Sequence, residues 1–184
     1  MFAVVDIETT GSYARGNGIT EIAIYITDGL EIKDTYSTLL NPEQSIPYAI
    51  QQLTGIDDSM VAEAPTFAEK AEEIRAFLAD HVFVAHNVSF DLGFVQAAFK
   101  EVGVNYNPRR LCTVRYSRRI IPGLRSYSLS SLCKHFNYSN QSAHRAWADT
   151  EVTTKILHQL FLVYLSIHNY DHCQNTFFYF LVKI

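Results

Sequence analysis

Two acids break an otherwise apolar opening run, Phe2-Ala3-Val4-Val5-Asp6-Ile7-Glu8. Valine and isoleucine at this density predict a buried strand. Side chains alternate faces along a strand, so Asp6 and Glu8 share one face. Two like charges on a buried face are costly unless a cation lies between them. Carboxylate oxygens suit a hard divalent ion, Mg²⁺ or Mn²⁺. Such a site calls for more carboxylates from elsewhere in the chain.

Two candidates stand in suggestive settings. Asp91 closes the segment His86-Asn87-Val88-Ser89-Phe90-Asp91, at the junction of a short apolar strand and the next helix. α/β sheets commonly present functional groups there, although an acid stabilised by the helix dipole would look the same. Asp149 ends Ala143-His144-Arg145-Ala146-Trp147-Ala148-Asp149, an apolar surrounding for a carboxylate. His144 lies five residues earlier, about 140° out of alignment on a helix. The two converge only if His144 sits on the loop or first turn before the helix, where a mobile imidazole would suit proton transfer.

The elements that must position these groups follow from periodicity and punctuation. Strands are expected at the start of the chain and over Ile19–Thr27. Asp28-Gly29 signals a hairpin, with Leu30–Leu40 returning antiparallel. Pro47–Thr54 reads as a short helix closed by Gly55. Thr66-x-x-Glu69 has the form of a capping box, followed by Phe67, Ala71, Ile74 and Leu78 at helical spacing. Val82–Ala85 is a short strand. Leu92, Val95, Phe99 and Val102 mark an amphipathic helix stopped by Gly103. Arg110–Thr113 reads as a brief strand leading into a basic helix, Ser128 caps a further helix, and a long helix runs from about Arg145 past Leu160. A three-stranded meander followed by alternating helices and strands predicts an α/β fold with a mixed sheet.

The chain has 184 residues, 48% hydrophobic and 18% charged, enough for one domain with a sizeable core. The formal net charge of −4 argues against a generic polyanion binder, while leaving room for local basic patches. Arg109, Arg110, Arg115, Arg118, Arg119 and Arg125 form one such cluster; phosphate recognition and a solvated helix face both account for it. Cys112, Cys133 and Cys173 are scattered singly, which fits reduced thiols and a cytoplasmic setting. No run reaches the length of a membrane span. Residues 161–184 are nearly uncharged and aromatic-rich. They read as a tail of unassigned role after a domain over 1–160, either docked on that domain, buried in a partner, or continuing into a longer chain.

Val4–Gly11 (VVDIETTG), His86–Asp91 (HNVSFD) and His144–Asp149 (HRAWAD) resemble, in order and spacing, the three motifs of the DEDD exonuclease superfamily. The histidine five residues before the last aspartate is similar to the DEDDh branch, and the closest likeness is to the proofreading epsilon subunits of bacterial DNA polymerase III. The resemblance implies a ribonuclease H-like fold. It implies Asp6, Glu8, Asp91 and Asp149 as ligands of two divalent ions, with His144 as general base. It suggests that Thr9 and nearby backbone contact the terminal 3′-OH. It also suggests that the Leu53–Ile56 segment, through Ile56, wedges against the last bases, where a plain helix end would serve as well. Phe90 would stack on a base or belong to the core. His86 and Asn87 would bond the substrate or cap the next helix. The implied activity is 3′→5′ exonuclease action on single-stranded DNA ends in proofreading or repair, with a DNA polymerase subunit or further domain as partner. An RNA-trimming exoribonuclease of the oligoribonuclease or RNase T kind and a non-catalytic polymerase accessory module remain as alternatives.

Overall fold

The computed structural model, which describes residues 1–140 and 142–167, puts the opening strand at the centre of the molecule. β1 (Phe2–Thr9) is flanked by β2 (Ile19–Thr27) and β4 (Val82–Ala85), with β3 (Ile32–Leu39) and β5 (Arg110–Cys112) at the edges, in the order β3-β2-β1-β4-β5. The β1–β2 and β2–β3 pairs are antiparallel; β1–β4 and β4–β5 are parallel. The mixed sheet expected from the sequence is therefore present. A central strand has both faces covered, which is why β1 is apolar at nearly every position rather than at alternate ones.

Alternation along β1 divides the core. Ala3, Val5 and Ile7 face α3 (Phe67–Leu78) and α4 (Val88–Glu101), burying Ile74, Leu78, Leu92, Val95 and Phe99. Phe2 and Val4 face the opposite way, onto α5 (Thr113–Ile120), α6 (Leu129–Phe136) and α7 (Ala146–Ile167). Phe161 of α7 packs its ring 5.4 Å from Phe2 and 5.7 Å from Tyr116. Asp6 and Glu8 share the Phe2 and Val4 parity, so they lie on the face that α7 crosses.

The local signals hold with two differences. Thr66 and Glu69 make the reciprocal capping box, and Ser128 accepts from the Ser131 N–H. The β2–β3 turn is longer than the two-residue hairpin expected: Asp28–Glu31 form the loop and β3 begins at Ile32. The Asp28 carboxylate accepts from the N–H groups of Leu30 and Glu31, each at 2.9 Å, so the aspartate side chain organises the turn. Beyond α1 (Tyr48–Thr54), a four-residue helix, α2 (Asp58–Val61), was not foreseen, because its length is too short for a periodic pattern. Asp57 caps it, and Asp58 accepts from the Ile46 N–H at 2.8 Å.

α7 continues unbroken past Leu160 to Ile167, with Phe161 and Tyr164 buried. The remainder of the 161–184 segment, Cys173 included, lies outside the described residues. No helix among the described residues is long and apolar enough to cross a membrane.

Candidate active site

Three elements bring the acids together. Asp6 and Glu8 stand two residues apart on β1, and Asp149 sits in the first turn of α7, which crosses the same face. Carboxylate oxygens of Asp6, Glu8 and Asp149 all lie within 4.8 Å of one another. Asp91, buried in the first turn of α4 at the carboxyl end of β4, adds its charge from the side and raises the pKa of both Asp6 and Glu8. Opposite Asp6 in the β1–β2 register is Ala23, whose small side chain suits the close approach of α7. A register shift between Glu8 and Thr9 interrupts the ladder beside the cluster, the kind of bulge that re-aims side chains next to active sites.

The electrostatics are those of a cation-binding site. Burial pushes the Glu8 carboxyl up to about 8, and Asp149, Glu21 and Asp91 add to the shift by repulsion, while Arg145 opposes it. Burial likewise pushes Asp91 up to about 8, against the pull of the backbone at Asp91 and Ile7. Asp6 rises well above the usual carboxylate range, first by burial and then by repulsion from Asp91, Asp149, Glu8 and Glu21. Carboxyls held this close and this dry bind either protons or a multivalent cation. An all-oxygen donor set fits a hard divalent ion.

His144 lies on the loop before α7, in the left-handed region at φ 66°, and is exposed. This is the arrangement that the five-residue spacing to Asp149 requires. Its backbone N–H donates to Asp149 Oδ2 at 3.2 Å, which ties the loop to the acid. Asn140 Nδ2 donates to the other oxygen, Oδ1, at 2.5 Å.

Three residues that the sequence reading passed over hold this corner. Glu21 faces Glu8 across the β1–β2 ladder and is almost wholly buried. It accepts from Arg145 Nε at 3.1 Å and Nη2 at 2.7 Å, and from the Ala146 N–H at 2.8 Å. Glu21 thereby anchors the start of α7, and with it His144 and Asp149, to the sheet; Asn140 is the third of the group. A signal for Glu21 exists in the sequence: it is a charge inside the apolar run ITEIAIYIT, as Asp6 and Glu8 are in theirs.

The remaining candidates fall in different places. Thr9 is buried, and its hydroxyl donates to the Gly11 carbonyl at 2.7 Å. His86 Nδ1 lies 2.9 Å from Thr113 Oγ1, and burial pushes its pKa down to about 4. Asn87 precedes α4 with φ 77° and makes no capping bond with its side chain. Phe90 is partly buried, its ring 5.1 Å from Phe94. Ile56 is not brought to the site surface: it is fully buried with Ile46 and Val61. A side chain without exposed area cannot touch a base, and Leu53, 52% exposed, is the apolar side chain that this segment offers to solvent.

The chain has relatives among known proteins. A sequence profile of the family described as Exonuclease matches residues 3–157. The chain is similar to the 3′-5′ exonuclease DinG of Staphylococcus epidermidis, 36% identical over 168 residues, which is 91% of this chain and 19% of that protein. It is 38% identical to DinG of Staphylococcus aureus strain MRSA252 over 157 residues, 85% of this chain and 18% of that one. The chain thus spans about a fifth of the length of these relatives. Among solved structures, exonuclease X in complex with 5′ overhanging duplex DNA superposes with a TM-score of 0.71 at 26% identity, covering 93% of this chain and 95% of that one. The nuclease domain of 3′hExo, a DEDDh family member bound to rAMP, gives 0.74 at 15% identity, covering 88% and 91%, and shares the fold. The likeness to epsilon rests on the shared motifs. With the ribonuclease H-like sheet, the acidic cluster and the family profile in agreement, this chain belongs to the exonuclease family.

Proposed function

We propose that this domain is a metal-dependent 3′→5′ exonuclease that removes 5′-mononucleotides from the 3′ ends of single-stranded DNA, in proofreading or repair. The observation that carries the reading is the meeting of Asp6, Glu8 and Asp149 oxygens within 4.8 Å, with Asp91 beside them and His144 on the adjoining loop. Asp6, Glu8, Asp91 and Asp149 would hold two divalent ions, Mg²⁺ or Mn²⁺. When bound, such ions polarise the phosphate and make water a better nucleophile.

The chain's own residues do the rest. His144, exposed on its loop, accepts a proton from the attacking water at a ring nitrogen. Glu21 and Arg145 keep the start of α7 in register, so that Asp149 and His144 are aimed together. Asn140 orients the Asp149 carboxylate. Thr9 and its neighbouring backbone border the position of the terminal 3′-OH, and Leu53 offers an exposed apolar contact to a terminal base.

The test is release of mononucleotides from a 3′-labelled DNA strand, with matched RNA as competitor. We expect release only with Mg²⁺ or Mn²⁺, from the 3′ end, and faster from DNA. Faster release from RNA would make the enzyme an exoribonuclease. No release under any metal would refute the reading.

A further inference from the structure

β1, β4 and β5 run parallel, so the segments leaving their carboxyl ends share one edge of the sheet. The acidic site occupies that edge at β1. β5 lies two strand spacings from β1, about 10 Å, and beside it a groove of about 570 Å³ opens between the first turn of α4, β5 and α5. Asn87, Ser89, Arg110, Arg115, Arg118 and Arg119 contribute to its walls, and no carboxylate does.

Four cations and no acid line this one groove. Lys33, Lys70, Arg75, Arg145 and Lys155 each pair with an acid. The four arginines of the groove are exposed, and none has a carboxylate partner among the described residues. Arg115, Arg118 and Arg119 recur at i, i+3 and i+4, on the side of α5 opposite the buried Tyr116, Ser117 and Ile120. Arg118 is steadied over the Tyr127 ring at 5.6 Å. A concentration of unneutralised guanidinium on a chain of net charge −4 matches a ligand that brings its own negative charges at intervals. Guanidinium forks match phosphate oxygens in shape and charge. The Asn87 side chain, exposed and not used as a cap, adds an amide donor to the wall.

We propose that this groove carries the phosphodiester backbone of the single strand upstream of the bond to be cut. The inference rests on the exonuclease reading above. Contacts of this kind position a strand without reading its bases, so the groove gives length dependence rather than sequence preference.

The experiment replaces Arg115 and Arg119 by Gln, both at solvent-exposed positions, and reads two quantities. The first is binding of a fluorescent single-stranded DNA oligomer in chelator, without cleavage. The second is the ratio of kcat/KM for a long strand to that for a dinucleotide with metal present. We expect the Kd for the oligomer to rise roughly tenfold or more. The slope of log K against log salt should fall by about 0.7 for each phosphate that the variant no longer neutralises. The preference for long over short strands should collapse by a similar factor. An unchanged salt slope and an unchanged length preference would overturn the proposal. Equal losses on the long strand and the dinucleotide would also overturn it, because the arginines would then act at the cleavage site itself. If the unaltered protein released no nucleotide from either substrate, the exonuclease reading would fail, and the chelated binding measurement would still decide whether the groove holds the strand.

Discussion

Replacing Arg145 by Ala should destabilise the protein far more than replacing its partner Glu21 by Gln. The Glu21 side chain is 3% exposed, whereas that of Arg145 is 30% exposed. Glu21 accepts three hydrogen bonds, two from the guanidinium and one from the Ala146 N–H. Removing the guanidinium leaves a buried carboxylate with one donor and with Glu8 opposite it on the neighbouring strand. Breaking a buried pair in this way costs about 3–5 kcal/mol. Glu21→Gln keeps the shape and can still accept from Ala146, leaves a cation that water reaches, and removes a charge that repels Asp6 and Glu8. Its cost should be about 1–2 kcal/mol. For a chain of this size each kcal/mol moves Tm by about 2–4 °C, so Arg145→Ala should lower it by roughly 6–20 °C. Urea unfolding in chelator measures both variants and the double variant. The double variant should regain much of what Arg145→Ala loses, because no stranded charge remains. Equal costs for the two single variants, or strict additivity in the double, would refute the view that Glu21 and Arg145 act as a desolvated pair.

Three further outcomes follow from the same geometry. His144→Ala should retain metal affinity and fold stability, since the side chain is exposed, while turnover slows by roughly 10²–10⁴-fold; full activity would assign the proton to another base. Asp6→Asn should weaken Mn²⁺ binding in a calorimetric titration and abolish cleavage, and undiminished affinity would remove Asp6 from the ligand set. In chelator, Glu8 and Asp91 hold protons up to about pH 8 when folded but release them at 3.8 to 4.5 when unfolded. The folded state therefore binds more protons, and stability falls as pH rises through that window. Half-buried His86, pushed down to about 4, works in the opposite direction only below its ordinary 6.5. Denaturation should thus become easier from about pH 6.5 to 8 and level off above it, with Mn²⁺ reversing the trend; a rise in metal-free stability over that range would contradict the shared burial of the acids.

The features legible in the sequence are those that a local rule encodes. The parity of Asp6 and Glu8 on a strand fixed their common face, and the spacing of His144 and Asp149 forced the histidine onto a loop, where it stands at φ 66°. The capping box at Thr66 and the cap at Ser128 are likewise local chemistry. The role of Glu21 is not legible locally, because it depends on a partner 124 residues away in sequence. The exposure of Leu53 rather than Ile56 is hidden for a related reason: both are apolar and close in sequence, and only packing against Ile46 and Val61 decides which one is buried. The basic cluster shows its composition in the sequence, while the meeting of Arg110, Arg115, Arg118 and Arg119 in one groove comes from β5 and α5 folding beside the start of α4.

The most direct measurement is anomalous diffraction from crystals of the protein soaked in manganese. The account predicts density for the ion at the carboxyl end of β1, bonded to oxygens of Asp6, Glu8 and Asp149, with Asp91 completing the surroundings. Crystals that take up manganese elsewhere, with those side chains bonded only to protons and water, would contradict it.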